Sequence, residues 1–131
     1  MKFVINVIPR TKKNSQNIVL VNNRPIIVPS KQYKQFEKEC KMTIPVIYKQ
    51  KINRPVNIKA VFYTETRRKI DLTNLLEALD DALIAANIIE DDNRNIIAGH
   101  DGSRVYYDKD NPRIEVEITK MEGYETWIKK K

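Results

Sequence analysis

The sequence predicts a small α+β domain in which two main helices pack on a mixed sheet. Three observations predict it. Leu72, Leu75, Leu76, Leu79, Ala82, Leu83 and Ala86 recur at helical spacing and form one apolar stripe. Ile114, Val116 and Ile118 alternate with Glu115 and Glu117, the period of a strand with one buried face. Helix and strand signals interleave along 131 residues, a length that one core accommodates, so residues 1–131 are read as one domain.

In chain order, Lys2 to Ile8 alternates as a first strand, and its lone lysine, Asn6 and Pro9 distinguish it from a signal peptide. Arg10 to Asn14 is a polar loop. Ile18 to Asn22 and Pro25 to Val28 pair as a hairpin across Asn22, Asn23 and Arg24. Ser30 caps a helix that ends before Pro45, with Tyr33, Phe36, Cys40 and Met42 to Ile44 on its apolar side. Asn57 to Thr64 is a strand that turns Ile58, Ala60 and Phe62 to one face. The leucine-rich helix runs from Leu72 to Ala86, Ile96 to Ala98 and Val105 to Tyr107 are short strands, and Asp108 to Pro112 is a turn before the closing strand, Arg113 to Thr119. Glu122 to Lys131 reads as a short helix docked by Trp127 or as a frayed tail.

Lysine and arginine number 24 against 17 acidic residues, a formal net charge of +7. Such a balance suits a polyanionic partner, because cationic side chains gain free energy by releasing counterions from nucleic acid. The basic residues cluster as Arg10, Lys12 and Lys13, and again as Arg67, Arg68 and Lys69 just before Asp71. A solvated loop is the plain alternative for each cluster. No apolar run approaches the roughly 20 residues that a membrane span needs. Cys40 is the single cysteine, so no internal disulfide or CxxC zinc site exists, which fits a packed helix residue in a reducing cytoplasm.

Several catalytic patterns are absent. No serine lies in a GxSxG elbow, no GxxxxGK[ST] loop occurs, and Glu117 is followed by Ile118 and Thr119 rather than by a Glu-x-Lys pattern. His100, in a glycine-flanked loop, reads as a surface histidine. Tyr63, Tyr106 and Tyr107 read as packing aromatics of strands rather than base-stacking platforms.

Against the basic background, Asp71, Glu77, Asp80, Asp81, Glu90, Asp91 and Asp92 crowd one segment. At 100° per residue, Asn74, Glu77 and Asp81 fall on one stripe opposite the leucines, with Thr73 and Asp80 to one side and Asp71 at the helix start. A turn after Asn87, anchored by Ile88 and Ile89, would carry Asp91 and Asp92 back toward the polar side of the helix. Oxygen-only donors favour Mg²⁺ or Mn²⁺ over zinc. Carboxylates beside arginines suit metal-assisted phosphodiester hydrolysis. The plainer alternative is a solvated acidic helix face with Asp71 as its cap. Spacing alone favours that alternative.

The segment RRKIDLTNLLEALDDALIAANIIEDD resembles the signature of the RusA family of Holliday junction resolvases, in which a basic stretch precedes Asp-x-Asp-Asn, a helix and an Asp-Asp pair. The run Pro9-Arg10-Thr11-Lys12 resembles the family's Pro-x-x-Lys loop, and PRIEVEI its closing strand. The resemblance implies a RusA-like fold and a Mg²⁺-dependent endonuclease, with Mn²⁺ as a substitute, that cuts four-way junctions symmetrically as a homodimer. It also implies a cytoplasmic setting in a bacterial or phage-infected cell, with the size of a phage or prophage product.

By position, Asp71 and Asp92 match the two catalytic, metal-ligating aspartates, Asp91 and Asp81 are supporting carboxylates, and Asn74 matches the family's asparagine. Arg10, Lys12, Lys13, Arg67, Arg68 and Lys69 are the implied phosphate contacts. Asp80 and Glu90 are read as bystanders. The chain departs from the pattern at Thr73, which stands where the second aspartate of Asp-x-Asp belongs. Either Glu77, placed where better-known members carry a lysine, supplies the missing charge as a catalytic metal ligand, or the protein binds branched DNA without cutting it.

Overall fold

The computed structural model describes residues 1–12 and 16–123. Its strands are β1 (Lys2–Ile5), β2 (Gln16–Val21), β3 (Arg24–Pro29), β4 (Val56–Thr64), β5 (Ile97–Gly99), β6 (Arg104–Tyr107) and β7 (Arg113–Lys120). The helices are α1 (Lys31–Thr43) and α2 (Leu72–Ala85), with a short 3-10 turn at Val46–Tyr48. The expected tail helix and the Trp127 contact lie outside the described residues, as does Lys13.

The main sheet runs β1-β7-β4, and β5 and β6 both pair with the far edge of β4. β7 is antiparallel to β1 and to β4, whereas β5 and β6 are parallel to β4. The sheet is therefore mixed, and the domain is α+β. In register, Phe3, Val116 and Ala60 line up on the core face, and Lys2, Glu117 and Lys59 line up on the opposite face. The period-two alternation of β7 buries Ile114, Val116 and Ile118 in the core and turns Glu115 and Glu117 to the partly exposed face, where Glu117 meets Lys2 at 3.2 Å.

β1 is shorter than the alternation from Lys2 to Ile8 implied. The Val7 amide donates to the Ile5 carbonyl at 2.9 Å, a three-residue turn that ends the ladder. Burial nevertheless continues to alternate through Val7, Pro9 and Thr11, so the following loop stays pressed against the core. The β2–β3 hairpin forms a separate ribbon. Val21 pairs with Arg24, so the turn is Asn22-Asn23 alone, with both residues at positive φ as a type I′ turn requires.

α1 begins where expected: Ser30 Oγ accepts from the Tyr33 amide at 3.2 Å. It buries Tyr33, Phe36 and Cys40, and Ile44 follows on the same face. Met42 does not share that face and is 75% exposed, because two residues past Cys40 is about half a turn around the helix. Burial pushes the Cys40 thiol up to about 12, the state of a packed side chain.

α2 buries Leu75, Leu79, Ala82 and Leu83 against the sheet, and Tyr33 donates its hydroxyl to the Ala78 carbonyl at 3.2 Å, joining the two helices. The helix closes with a Schellman motif. Asn87 takes a φ of 64°, its amide donates to Ile84 O, and the Ile88 amide donates to Leu83 O. Ile88 and Ile89 are then buried, and Ile89 bridges to Ile52. This anchoring delivers Asp91 and Asp92 to the surface beside the helix they have just left.

Candidate active site

Asp71 occupies the N-cap position of α2 without using its side chain as a cap. Its carboxylate is exposed and accepts from the Asn74 carboxamide at 3.3 Å. The strand-to-helix connection that precedes it starts at Thr64, whose hydroxyl donates to Thr66 O at 2.9 Å and so fixes the bend after β4. Arg68 and Lys69 of this connection meet Arg10, from the loop after β1, around a cleft of about 150 Å³ floored by Thr11 and Thr64. Members of two basic clusters more than fifty residues apart in sequence thus line one cavity, which extends to Ile70, the residue before Asp71. Arg10 is partly offset by Glu65 at 3.6 Å.

Arg67 and Lys12, the other described cations of those clusters, go elsewhere. Arg67 lies over the ring of Tyr107 at 4.5 Å. Tyr106 and Tyr107 are exposed at the sheet edge, and Tyr106 packs cross-strand against Tyr63 with ring centres 5.6 Å apart. Lys12 reaches Asp81, with Nζ 2.6 Å from Oδ2 and 5.5 Å from the centre of the Tyr33 ring. That hydrogen bond raises the Lys12 ammonium above its usual range; burial opposes it, and the charges of Asp81, Glu77 and Glu37 add to it. Lys12, one of the implied phosphate contacts, is thus held in an ion pair with Asp81 of the acidic stripe. The buried Val7, Pro9 and Thr11 hold the loop against the core and set Lys12 there.

Glu77 is exposed on the same stripe, as the helical projection requires. Asp91 and Asp92 divide the labour of their turn. Asp91 accepts from the Asp92 amide at 2.8 Å and from the Asn93 side chain at 3.2 Å, which holds its carboxyl below the ordinary range. The Asx turn of this segment is made by Asn93, whose Oδ1 accepts from the Asn95 amide at 2.9 Å, and Asp91 holds the Asn93 side chain in place. Asp92 is held above the ordinary range, first by desolvation, then by its hydrogen bond with Asp91 and the charges of Asp81 and Asp91. Asp92 is thus within electrostatic reach of the Asp81 end of the stripe.

Asp80 and His100, read from sequence as a bystander and a surface residue, form a pair. His100 Nε2 lies 2.9 Å from Asp80 Oδ2, and Nδ1 lies 2.9 Å from the Ile58 carbonyl. Asp80 is 8% exposed, and its Oδ1 is buried with no hydrogen-bond partner among the described residues. A buried polar atom in that state costs about 1–3 kcal/mol. Desolvation raises the Asp80 carboxyl, His100 draws it back, and Asp92 and Asp81 raise it further. The sequence signal was available: in projection Asp80 stands only about 40° from Leu76, at the margin of the apolar stripe.

The acids consequently divide into two places along α2. Asp71 and Asn74 stand at its head, and Asp81, Asp92 and the buried Asp80 gather near its C-terminal half. Ten residues separate Asp71 from Asp81, about 15 Å along the axis. Oxygen donors suit Mg²⁺, but Asp71, Glu77 and Asp92 do not converge, and no group of three or more metal-ligating side chains forms among the described residues.

A family model described as endodeoxyribonuclease RusA matches residues 7–119. No curated protein matches the chain.

Proposed function

The chain belongs to the RusA family of endodeoxyribonucleases, and from that premise we propose that it resolves four-way (Holliday) DNA junctions by Mg²⁺-dependent hydrolysis, as a homodimer that makes paired symmetric nicks. The observation that carries the reading is the convergence of Arg10, Arg68 and Lys69 on one cleft whose lining reaches Ile70, the residue before Asp71. Cations there draw in the DNA backbone, and phosphate contacts of this kind position the duplex without reading its sequence. Asp71 and Asp92 are the proposed essential carboxylates, with Asp81 and Asp91 in support. Glu77 replaces the charge missing at Thr73, and Asn74 orients Asp71. A two-fold dimer would offer equivalent sites to two opposed strands of a junction.

The requirement for Mg²⁺, or Mn²⁺ in its place, rests on the family and on the oxygen-only donors. No helix among the described residues is long and apolar enough to cross a membrane, and the proposed setting is the cytoplasm of a bacterial or phage-infected cell.

A second reading is favoured by Thr73 together with the Lys12–Asp81 ion pair, which occupies one carboxylate of the stripe. In that reading the protein binds branched DNA and leaves it uncut. One experiment separates the two: the purified protein is incubated with a labelled synthetic four-way junction and with linear duplex, each with and without Mg²⁺ or Mn²⁺. Symmetric nicks confined to the junction support resolution. Salt-sensitive binding with no nick in either metal supports the binding module and overturns our reading.

A further inference from the structure

The Asp80–His100 pair closes a chain segment on itself. Asp80 lies on α2 and His100 immediately follows β5, so their bond encloses the end of α2, the Schellman turn, the Asp91–Asn93 turn and β5. Downstream of His100 the chain is stitched to β4 three times. The Asn57 side chain accepts from the Asp101 amide at 2.8 Å and donates to the Asp101 carbonyl at 3.2 Å, and Ser103 Oγ accepts from the Ala60 amide at 3.0 Å. Gly102, at a φ of 86°, provides the left-handed residue that lets the chain reverse between these contacts. This stretch reaches α2 through the His100 side chain.

The imidazole itself is flanked by two acceptors, the Ile58 carbonyl and the Asp80 carboxylate. A proton on Nδ1 satisfies the first, and a proton held between Nε2 and Oδ2 satisfies the second. The ring is therefore pinned at both nitrogens and cannot rotate without losing a bond, so it links β4 rigidly to α2. The cost is visible at Asp80, whose second oxygen is buried without a partner among the described residues. A leucine at this margin of the apolar stripe would satisfy packing without that cost, so fold stability alone does not account for a carboxylate here.

We propose that Asp80 and His100 are positioning residues that clasp the segment carrying Asp92 against the acidic stripe of α2, so that Asp92 is held ready for phosphodiester cleavage. The catalytic half of this inference rests on the junction-cutting reading. The clasp acts through Asp92; neither Asp80 nor His100 touches the reacting atoms.

The test uses the full chain with Asp80→Asn, His100→Gln and the double replacement Asp80→Leu/His100→Leu. Single-turnover nicking of a four-way junction, junction affinity, thermal melting and amide hydrogen exchange are measured on each. The expected result is a fall of tenfold or more in the nicking rate with junction affinity unchanged, and faster exchange at residues 91–97 with β7 unaffected. The double leucine variant is expected to melt no lower than wild type while still cutting slowly, which a merely structural role would not produce. Nicking at the wild-type rate in a folded variant overturns the catalytic half, as does a loss that only tracks a lower melting temperature. Unchanged exchange at residues 91–97 overturns the clasp whether or not the protein cuts. A wild-type protein that never nicks defeats the junction-cutting reading and the catalytic half with it, while exchange still decides the clasp.

Discussion

Arg10, Arg68 and Lys69 share one cleft that reaches Ile70, whereas Lys12 is bound to Asp81 and Arg67 lies on Tyr107. Neutralising one phosphate contributes about 0.9 to the slope of log affinity against log salt, so each contact is worth about 3.5-fold in affinity between 50 and 200 mM salt. Three contacts in one cleft would weaken binding about 40-fold over that range. Arg68→Gln should therefore lower the slope by about 0.9. Arg10→Gln should lower it less, because Glu65 at 3.6 Å already offsets part of its charge. Lys12→Met should leave the slope unchanged. Its cost should appear as lost stability of about 0.2–1 kcal/mol, the range for ion pairs whose side chains are roughly a third exposed, as these are. Fluorescence anisotropy of a labelled junction titrated at four salt concentrations, with Ca²⁺ in place of Mg²⁺ to prevent cutting, reads the slope directly. A Lys12→Met slope lowered as far as that of Arg68→Gln would refute the assignment, and so would an Arg68→Gln slope equal to wild type.

Asp71→Asn and Asp92→Asn should each abolish junction nicking while binding persists; Thr73→Ala should keep activity and Glu77→Gln should lose it, measured as product on denaturing gels. If Thr73→Ala and Glu77→Gln behave alike, Glu77 does not replace the missing aspartate. Stability should also depend on pH through His100. Burial pulls the imidazolium down, but the Asp80 hydrogen bond and charge outweigh it and leave the group above its ordinary 6.5. A group raised on folding stabilises fully below its unfolded value and loses that contribution as pH rises through the folded one. Tm should thus fall as pH climbs above about 6.5, more steeply in wild type than in His100→Gln. The raised Asp80 carboxyl acts with the same sign from lower pH. Equal pH profiles for the two proteins would remove His100 as the cause. Finally, Ser30→Ala should cost about 1 kcal/mol by leaving the Tyr33 amide uncapped. Calorimetry should show that as a Tm lowered by about 3–5 °C, and an unchanged Tm would discount the cap.

The elements were legible in the sequence wherever one residue's neighbours along the chain carry the signal. The leucine period of α2, the two-residue alternation of β7 and the Ser30 cap depend on spacings of two to four residues, and each appears as read. The reading failed where a local pattern was ended by a specific backbone bond. The alternation after Ile5 stays buried, but the turn at Val7 takes it out of the ladder. Met42 adjoins the apolar run that ends at Ile44, but its helical phase sends it to solvent.

The candidate site divides along the same line. The sequence by itself determined which residue types are present: an acidic stripe on one helix, two basic clusters, and an Asp-Asp pair after an isoleucine anchor. It also determined the family, since the motif order survives in a linear string. Only the tertiary structure decided which charges meet. Lys12 finds Asp81 across 69 residues, His100 finds Ile58 across 42 and Asp80 across 20, and Arg10 joins Arg68 and Lys69 around one cleft. Those pairings follow from how β5 and β6 share the far edge of β4 and how the loop after β1 is pressed on the core. Hydrophobic periodicity is a property of one segment, whereas an ion pair is a property of two segments that packing brings together. No spacing within either segment encodes it.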